Sequence, residues 1–417
     1  MKRLLYSLLA AVLLAFTAPA FPDAVDAPTI EQLWQIIQAQ QAEIDALKQQ
    51  QEETARTATG ADEKAEAAVV AVEESAGKGS WADKTTIGGY GELHYNNGIK
   101  DSSGDDYDEI DFHRFVLYFN HEFTDSIRLF SEVELEHSVA GDGQNGEVEL
   151  EQAYIEFDLK DNLQARGGVF LLPVGIINET HEPTTFYGVE RNDVESIIIP
   201  ATWWAGGAGI NGYFDNGISW DLAVTEGLSM DTTGDNAFRV RSGRQKTSEA
   251  LANDLAYTGR LKYTGIPGLE LAASINYQTD ASQDGGDGLD EGILYETHAI
   301  YQKGPFALRA LYAQWDFDGS AVKVNGNDDQ SGWYIEPSYK PWEKLGLYAR
   351  YEDVDAELNA DRNQRFDQWE IGANFWPHED VVLKVDYRSR NYDNTNIAVS
   401  REYSDFNAFD LGIGYVF

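Results

Sequence analysis

Basic side chains recur at alternate positions of segments whose other residues are mostly apolar. In an extended chain successive side chains point to opposite faces, so one face of each segment carries charge and the other is apolar. The chemistry of such a face would be electrostatic, either attraction of ions or pairing with carboxylates. The predicted wall residues are Arg114, Arg128, Arg166, Arg260, Lys262, Arg309, Arg350, Lys384 and Arg388.

A second group of ionisable residues lies in the longest connector between these segments, residues 173–200. Its candidate site residues are Glu179, His181, Glu182, Glu190, Arg191, Asp193 and Glu195. These groups either narrow and charge an aqueous opening or hydrogen-bond a folded loop to a surrounding wall. Basic wall residues opposite an acidic loop would create a transverse electric field. Alternatively, the wall residues form local ion pairs with Glu132, Glu134, Glu156 and Glu370.

Several classes of chemistry find no support in the sequence. The chain has no cysteine, which excludes thiolate metal sites and cysteine nucleophiles, and its seven histidines show no metal-ligand spacing. We therefore expect no metal, no cofactor and no enzymatic activity, although a hydrolase built from residues distant in sequence stays an alternative. The formal net charge of −40 argues against a nucleic-acid partner.

One glycine motif resembles a nucleotide-binding fingerprint but lies in the wrong context. Residues 207–212 read G-x-G-x-x-G, yet they fall inside a predicted strand with no helix after it. We expect these glycines to allow close backbone approach or a bend.

The elements that would position these groups are strands. Residues 84–417 show about sixteen segments of period-two alternation, joined alternately by short turns and by long acidic or glycine-rich connectors. This pattern predicts an all-β fold, a transmembrane antiparallel β-barrel of about sixteen strands. A charge at lipid depth costs about 2–4 kcal/mol, so the basic faces should meet water inside the barrel. Acidic stretches at 101–108, 280–291, 325–329 and 352–361 look like solvated loops; alternatively, some of them bind divalent cations at the cell surface.

The two ends of the chain agree with export to an outer membrane. Residues 1–20 combine Lys2 and Arg3, an apolar run and an A-x-A site, which predicts a signal peptide. The last strand resembles the closing strand of a Gram-negative outer-membrane barrel. That resemblance implies an assembly signal, read by the barrel-assembly machinery, in a strand surrounded by lipid and lipopolysaccharide. Its residues are Phe409, Leu411, Ile413, Tyr415 and Phe417.

Two further segments separate the signal from the strands. Residues 28–51 carry a heptad pattern of Ile and Leu, interrupted by Gln40, which predicts a short coiled-coil helix. Residues 52–83 are poor in large apolar side chains and rich in Ala, Glu and Thr, as is typical of a flexible linker.

Five stretches of the chain resemble one family. They are IGGYGELHY from Ile87, the Arg114-bearing HRFVLYFNHEF, ELEQAYIEFDL from Glu149, GVFLLPVGIINETHEP from Gly168, and the terminal GIGYVF. Together they are similar to porins of the phosphate-selective porin O and P type. The resemblance implies a sixteen-stranded barrel, a homotrimer, passive transport, and a periplasmic helix compatible with trimerisation.

We therefore expect an outer-membrane channel for small hydrophilic solutes or ions, with the third long loop, 173–200, as its constriction. A phosphate- or anion-selective channel is the first alternative, and an adhesin or cell-wall tether without transport is the second. Basic residues of the fourth long loop would gather anions at the mouth or bind lipid phosphates; they are Arg239, Arg241, Arg244 and Lys246.

Overall fold

Sixteen antiparallel strands close into one barrel. The computed structural model describes residues 81–100, 106–286, 288–359, 362–392 and 405–417. The predicted signal peptide and coiled-coil helix, and nearly all of the predicted linker, lie outside these residues. A 3₁₀ turn, Trp81–Lys84, precedes the first strand. None of the helices in the described part of the chain has the length and apolar character needed to cross a bilayer.

Each strand pairs with its neighbours in sequence, and the first pairs with the last, so the predicted sixteen-stranded barrel is confirmed. The strands are β1 (Thr85–Lys100), β2 (Asp106–Thr124), β3 (Ile127–Glu136), β4 (Val148–Lys160), β5 (Leu163–Leu171), β6 (Trp204–Tyr213), β7 (Ile218–Glu226), β8 (Leu255–Tyr263), β9 (Leu269–Gln278), β10 (Gly292–Lys303), β11 (Phe306–Phe317), β12 (Asp329–Trp342), β13 (Leu345–Asn359), β14 (Arg362–His378), β15 (Val381–Tyr392) and β16 (Phe406–Val416).

Alternation along the strands separates an apolar outer face from an inner face that is polar on most of them. On β9, Leu271 and Ile275 are 44% and 43% exposed on the outer face, whereas Ser274 and Asn276 are buried inside. The outer face can contact hydrocarbon because every backbone hydrogen bond in the wall is made between strands.

The connections are sorted by length at the two ends of the barrel. Turns 125–126, 161–162, 214–217, 264–268, 304–305, 343–344 and 379–380 lie at one end, which we call the short-turn end. The described connections 137–147, 172–203, 227–254 and 318–328 lie at the other end, which we call the long-loop end, and a short helix, α1 (Ser320–Asn325), is part of the β11–β12 loop. An exception to the sorting is the junction of β13 and β14, which end and begin at Asn359 and Arg362. One expectation was wrong: much of the acidic stretch 352–361 is strand, because β13 runs to Asn359 and pairs with β14. In this extension the usual alternation is inverted: Val354 and Ala356 are buried inside the barrel in the apolar cluster, and the acidic Asp353 and Asp355 lie on the outer face.

The glycine-rich β6 packs closely against its neighbours. Gly207 pairs with Gly168 of β5, and a Cβ atom on Gly207 would lie 2.1 Å from the carbonyl oxygen of Val224 on β7. No side chain fits at that distance. The G-x-G-x-x-G sequence therefore serves the wall of the barrel.

The C-terminal residue completes the barrel. The backbone of Phe417 and that of Gly89 on β1 exchange two hydrogen bonds, with N···O distances of 2.8 and 2.9 Å. Phe409, Leu411 and Ile413 of β16 point outward and are exposed. The last strand thus joins the ring along an apolar outer face.

Deleting Phe417 should reduce assembly of the barrel. The deletion removes two hydrogen bonds at the seam and one outward aromatic ring, each bond contributing about 0.5–1.5 kcal/mol. We expect several-fold less heat-modifiable, folded protein in outer-membrane fractions, measured by gel mobility before and after boiling. Phe306→Ala removes an equally exposed outward ring from β11 and serves as the control. Equal folded yields of the two variants would contradict the prediction.

The interior is partly filled by an apolar cluster. Buried side chains from the β5–β6 connection pack with side chains from β11, β12 and β13 and from the β7–β8 connection. Its larger members are Phe170, Leu172, Ile198, Trp203, Phe238, Trp315, Phe317 and Tyr334. Two long loops must therefore fold into the barrel, and they define the candidate site.

Candidate functional site

The connection between β5 and β6, residues 172–203, folds into the barrel; we call it the crossing loop. Asn178 joins its two ends, because its amide nitrogen donates to the carbonyl oxygens of Leu172 at 2.8 Å and Trp203 at 3.0 Å. The backbone N–H of Trp203 in turn donates to the Asn178 side-chain oxygen at 2.5 Å. Asn178 is fully buried, so this single side chain fixes the width of the loop at its base.

Glu195 fixes the middle of the crossing loop. One carboxylate oxygen accepts hydrogen bonds from the backbone N–H groups of Ile176 and Ile177 at 2.7 and 2.6 Å. The other accepts from the hydroxyl of Tyr334 on β12 at 2.8 Å. The Trp315 indole nitrogen donates to the carbonyl of Ile198 at 2.9 Å. The loop is therefore bound to β11 and β12 as well as to itself.

The far part of the crossing loop reaches the opposite wall. Glu190 accepts a hydrogen bond from Asn96 of β1 at 3.0 Å and contacts the His94 ring nitrogen at 2.9 Å. The backbone N–H of Val189 donates to Asp386 on β15 at 2.7 Å, and Asp193 forms an ion pair with Arg390 of the same strand. Contacts on both sides show that the loop spans the lumen.

His181 anchors the start of the loop. Its Nε2 atom lies 3.4 Å from Glu132 on β3 and 3.7 Å from Glu151 on β4, and Arg114 donates to its carbonyl at 2.6 Å. Burial alone would lower the pKa of His181, but the carboxylates of Glu132 and Glu151 outweigh burial and raise it from 6.5 to about 9. At neutral pH the imidazolium therefore bridges the loop to two strands.

Anchoring by His181 should depend on pH. A raised folded-state pKa stabilises the fold fully below the unfolded value of 6.5, and this stabilisation is lost as pH rises through about 9. The shift corresponds to roughly 3 kcal/mol. We expect the native protein to resist thermal unfolding better than His181→Gln at pH 6, and the difference to vanish by about pH 10. A difference that is constant with pH would refute this role.

The nine predicted wall residues face inward, and five of them pair with carboxylates at 2.5–3.1 Å. The pairs are Arg114–Glu92, Arg128–Glu156, Arg260–Asp221, Arg350–Glu336 and Arg388–Asp410. Arg350 also pairs with Glu370. Lys262 lies 3.9 Å from Glu270. Much of the positive charge on the wall is therefore neutralised locally.

The other three predicted wall residues contact loop or wall groups. Arg309 donates to the carbonyl of Thr185 at 2.9 Å, and Lys384 lies 3.6 Å from the centre of the Phe186 ring. Arg166 lies over the ring of Phe170 at 4.4 Å. These three residues therefore support the crossing loop and the adjoining wall.

Uncompensated positive charge lies in the loops. The connection between β7 and β8, residues 227–254, also folds inward; we call it the arginine loop. Its Arg241 donates to the carbonyl of Ala201 at 2.6 Å, and Arg244 donates to that of Pro200 at 3.1 Å. Arg191 of the crossing loop donates to the hydroxyl of Thr202 at 2.9 Å. Three guanidinium groups thus converge on residues 200–202.

None of these three arginines has a carboxylate at ion-pair distance in the described part of the chain. Enclosure within the barrel, away from bulk water, lowers the pKa of Arg191, Arg241 and Arg244. The positive charge of Arg114 lowers the pKa of Arg191 further, and that of Arg244 does the same for Arg241. Glu134 and Glu151 of the facing wall are near enough to act on the cluster electrostatically. The arginines of the two loops therefore lie near carboxylates of the wall, but beyond ion-pair distance.

A cavity of about 460 Å³ opens beside this cluster. Arg191 and Arg241 line it together with Arg388 and Arg390 of β15. Its other ionisable lining residues are His94, Glu109, Asp111, His113, His137, Glu190 and Asp193. Two of the three uncompensated arginines, Arg191 and Arg241, therefore face this cavity.

The predicted site residues of the crossing loop are therefore brought together inside the barrel, in several roles. Glu179 forms an ion pair with Arg260 of β8, and Glu182 accepts a hydrogen bond from the Tyr118 hydroxyl at 3.5 Å. Of the basic residues in the arginine loop, Arg241 and Arg244 join the cluster, whereas Lys246 pairs with Glu147 at 2.9 Å. Asn178 is a polar residue of the predicted connector that was not among the candidate site residues; its position directly after the apolar run 169–177 was the signal.

Comparisons with known proteins agree with this architecture. Residues 88–417 match the family described as phosphate-selective porin O and P. An uncharacterised protein of Aquifex aeolicus (strain VF5) is 30% identical over 344 residues, which cover 74% of this chain and 76% of that protein.

Solved structures show the same fold at low sequence identity. The anion-selective porin from Comamonas acidovorans superposes with a TM-score of 0.57 at 13% identity, covering 80% of this chain and 99% of that chain. The trimer form of OmpT from Vibrio cholerae superposes with a TM-score of 0.51 at 14% identity, covering 80% and 100%. With the family match spanning nearly all of the barrel, the chain belongs to the phosphate-selective porin O and P family.

Proposed function

We propose that this outer-membrane porin favours anions and that its filter is the cluster of Arg191, Arg241 and Arg244. The observation that carries the proposal is the absence of carboxylate partners for these three arginines among the described residues, beside a cavity of about 460 Å³. Small hydrophilic anions would diffuse passively past the crossing loop, which forms the constriction.

Electrostatics supports anions over neutral solutes at this position. A guanidinium group presents planar, paired donors that match the oxygens of phosphate and carboxylate. In a narrow lumen, fixed charges are screened less by water than at the surface, so an entering anion would relieve the repulsion among the arginines. The net charge of −40 does not oppose this, because the field at a constriction depends on the nearest groups.

The acidic residues of β3 and β4 contribute to the same filter. Glu132, Glu134 and Glu151 are buried on the wall that faces the arginines. A transverse field between this wall and the loops would orient dipolar solutes as they pass. We therefore propose a field of the opposite direction to the one in the sequence-based hypothesis, in which basic walls face an acidic loop.

Assembly and location complete the proposal. The trimer form of the similar OmpT structure supports a homotrimer in the outer membrane. Lipid and lipopolysaccharide would surround the apolar outer face, and the predicted N-terminal helix would lie in the periplasm. The C-terminal strand, with its outward Phe409, Leu411 and Ile413, would be the assembly signal.

Planar-bilayer recording tests the function directly. We expect stable conductance without substrate turnover and, in a KCl gradient, a reversal potential displaced toward the chloride equilibrium potential. Millimolar phosphate should reduce the chloride current if phosphate occupies the arginine cluster. A reversal potential near the potassium equilibrium would overturn anion preference. Anion preference without inhibition by phosphate would assign the protein as a general anion channel.

A further inference from the structure

Two histidines and one aspartate meet at the long-loop end of the lumen. The Nδ1 atom of His137 lies 2.8 Å from one carboxylate oxygen of Asp111, and the Nδ1 atom of His113 lies 3.4 Å from the same oxygen. All three ligand atoms lie within 4.8 Å of one another. The two histidine side chains are 36% and 37% exposed, so the cluster is open to water.

Asp111 and His113 lie on β2, and His137 follows directly after β3. A β-bulge in β2, between the pairs Glu92–Arg114 and His94–Asp111, adds a residue to that strand. In a regular strand Asp111 and His113 would face away from Arg114, but the bulge turns all three toward the lumen. Bulges of this kind re-aim side chains near functional sites.

Backbone contacts hold the third member in place. The N–H of His137 donates to the carbonyl of His113 at 3.2 Å, just beyond the β2–β3 ladder. His137 and Ser138 both have positive φ angles, 50° and 59°, which non-glycine residues rarely adopt. The ring of His94 stacks on that of His113, with centroids 4.8 Å apart. The orientation of both ligand rings is therefore fixed from several sides.

We propose that Asp111, His113 and His137 bind a divalent transition-metal ion of the Zn²⁺ class. Imidazole nitrogens and a carboxylate oxygen are the ligands that such ions prefer, at about 2.0–2.2 Å. Two ligand atoms at that distance from a tetrahedral ion are about 3.3 Å apart. The Asp111 carboxylate oxygen lies 2.8 Å from the His137 Nδ1 atom and 3.4 Å from the His113 Nδ1 atom, on either side of this value. Hard cations such as Ca²⁺ prefer oxygen ligands and would bind weakly.

The metal would act on the same aqueous space as the arginine cluster. Asp111, His113 and His137 line the cavity that also contains Arg191 and Arg241. A bound dication adds positive charge there and keeps open positions for water or an anion oxygen. Zn²⁺ would therefore strengthen the attraction for anions at the long-loop end.

Titration calorimetry of the detergent-solubilised full chain with ZnCl₂ tests the site without reference to transport. We expect one high-affinity site, at least tenfold weaker in His113→Ala and in His137→Ala, and no comparable heat with CaCl₂. His378→Ala is the matched control, because His378, Glu379 and Asp380 form an exposed cluster at the short-turn end. Unchanged affinity in both lumen variants, or loss of binding only in His378→Ala, would overturn the proposal.

Folding and transport are measured separately. Heat-modifiable gel mobility reports folding, and His137→Gln, outside the strand ladder, replaces any variant that fails to fold. In planar bilayers, micromolar Zn²⁺ should displace the reversal potential further toward the chloride equilibrium in the native protein but not in His137→Gln. If the protein binds zinc but the channel prefers cations, the metal site is supported and the proposed anion selectivity is wrong.

Discussion

A channel carrying Arg191→Glu together with Arg241→Glu should prefer cations. The two substitutions replace two uncompensated positive charges by negative ones beside the same cavity. Two unit charges 4 Å apart interact by about 1 kcal/mol in water and more in a confined lumen. A change of about 1.4 kcal/mol is tenfold in an equilibrium. We therefore expect the anion-to-cation permeability ratio to fall at least tenfold, measured by reversal potentials in a KCl gradient.

The matched control is Lys323→Glu. Lys323 is an exposed residue of α1 at the same end of the barrel, where it pairs with Asp318. Reversing the charge of Lys323 changes the net charge of the protein but not the lining of the cavity. The anion-to-cation permeability ratio should therefore stay within about twofold of the native value, as expected for a screened surface charge. If the control and the double variant shift the ratio equally, diffuse surface charge determines selectivity and the arginine cluster does not.

Glu195→Ala should widen the channel. The substitution leaves the N–H groups of Ile176 and Ile177 and the hydroxyl of Tyr334 without their acceptor. Each buried unsatisfied group costs about 1–3 kcal/mol, which is enough to release a segment that is held mainly by polar contacts. We expect single-channel conductance to rise several-fold, with increased current noise, because the crossing loop no longer occupies the lumen continuously.

Two further variants distinguish release of the loop from general damage. Glu195→Gln keeps one acceptor oxygen and should give intermediate conductance, whereas Tyr334→Phe removes a single hydrogen bond. All three proteins should retain heat-modifiable mobility, because the strand ladder is untouched. Native conductance in a folded Glu195→Ala protein would show that the remaining contacts hold the loop in the lumen without Glu195.

The strands and turns could be predicted because a barrel wall imposes one rule on every residue. Outward side chains meet lipid and inward ones meet water, so period-two alternation marked almost every strand, and the short turns interrupted it. The crossing loop was recognisable by its length alone. The extension of β13 to Asn359 was missed, because its outward residues Asp353 and Asp355 are acidic, whereas a strand inside the bilayer carries apolar residues on its outer face.

The distribution of charge inside the barrel could not be predicted in the same way. The pairing of Arg114 with Glu92 depends on the register of β1 and β2 around a bulge. The inward fold of the arginine loop depends on Met230, Phe238 and Val240, which enter the apolar cluster. Apolar residues in a loop were a signal for this fold, but their partners on β11 and β12 are distant in sequence.

The apolar cluster makes the interior of the barrel asymmetric. Trp315 and Phe317 of β11 and Tyr334 of β12 pack with side chains of the crossing loop, so one arc of the wall is covered by apolar contacts. Substitutions on the crossing loop and the arginine loop can therefore change the shape of the lumen while the sixteen strands of the wall stay unchanged.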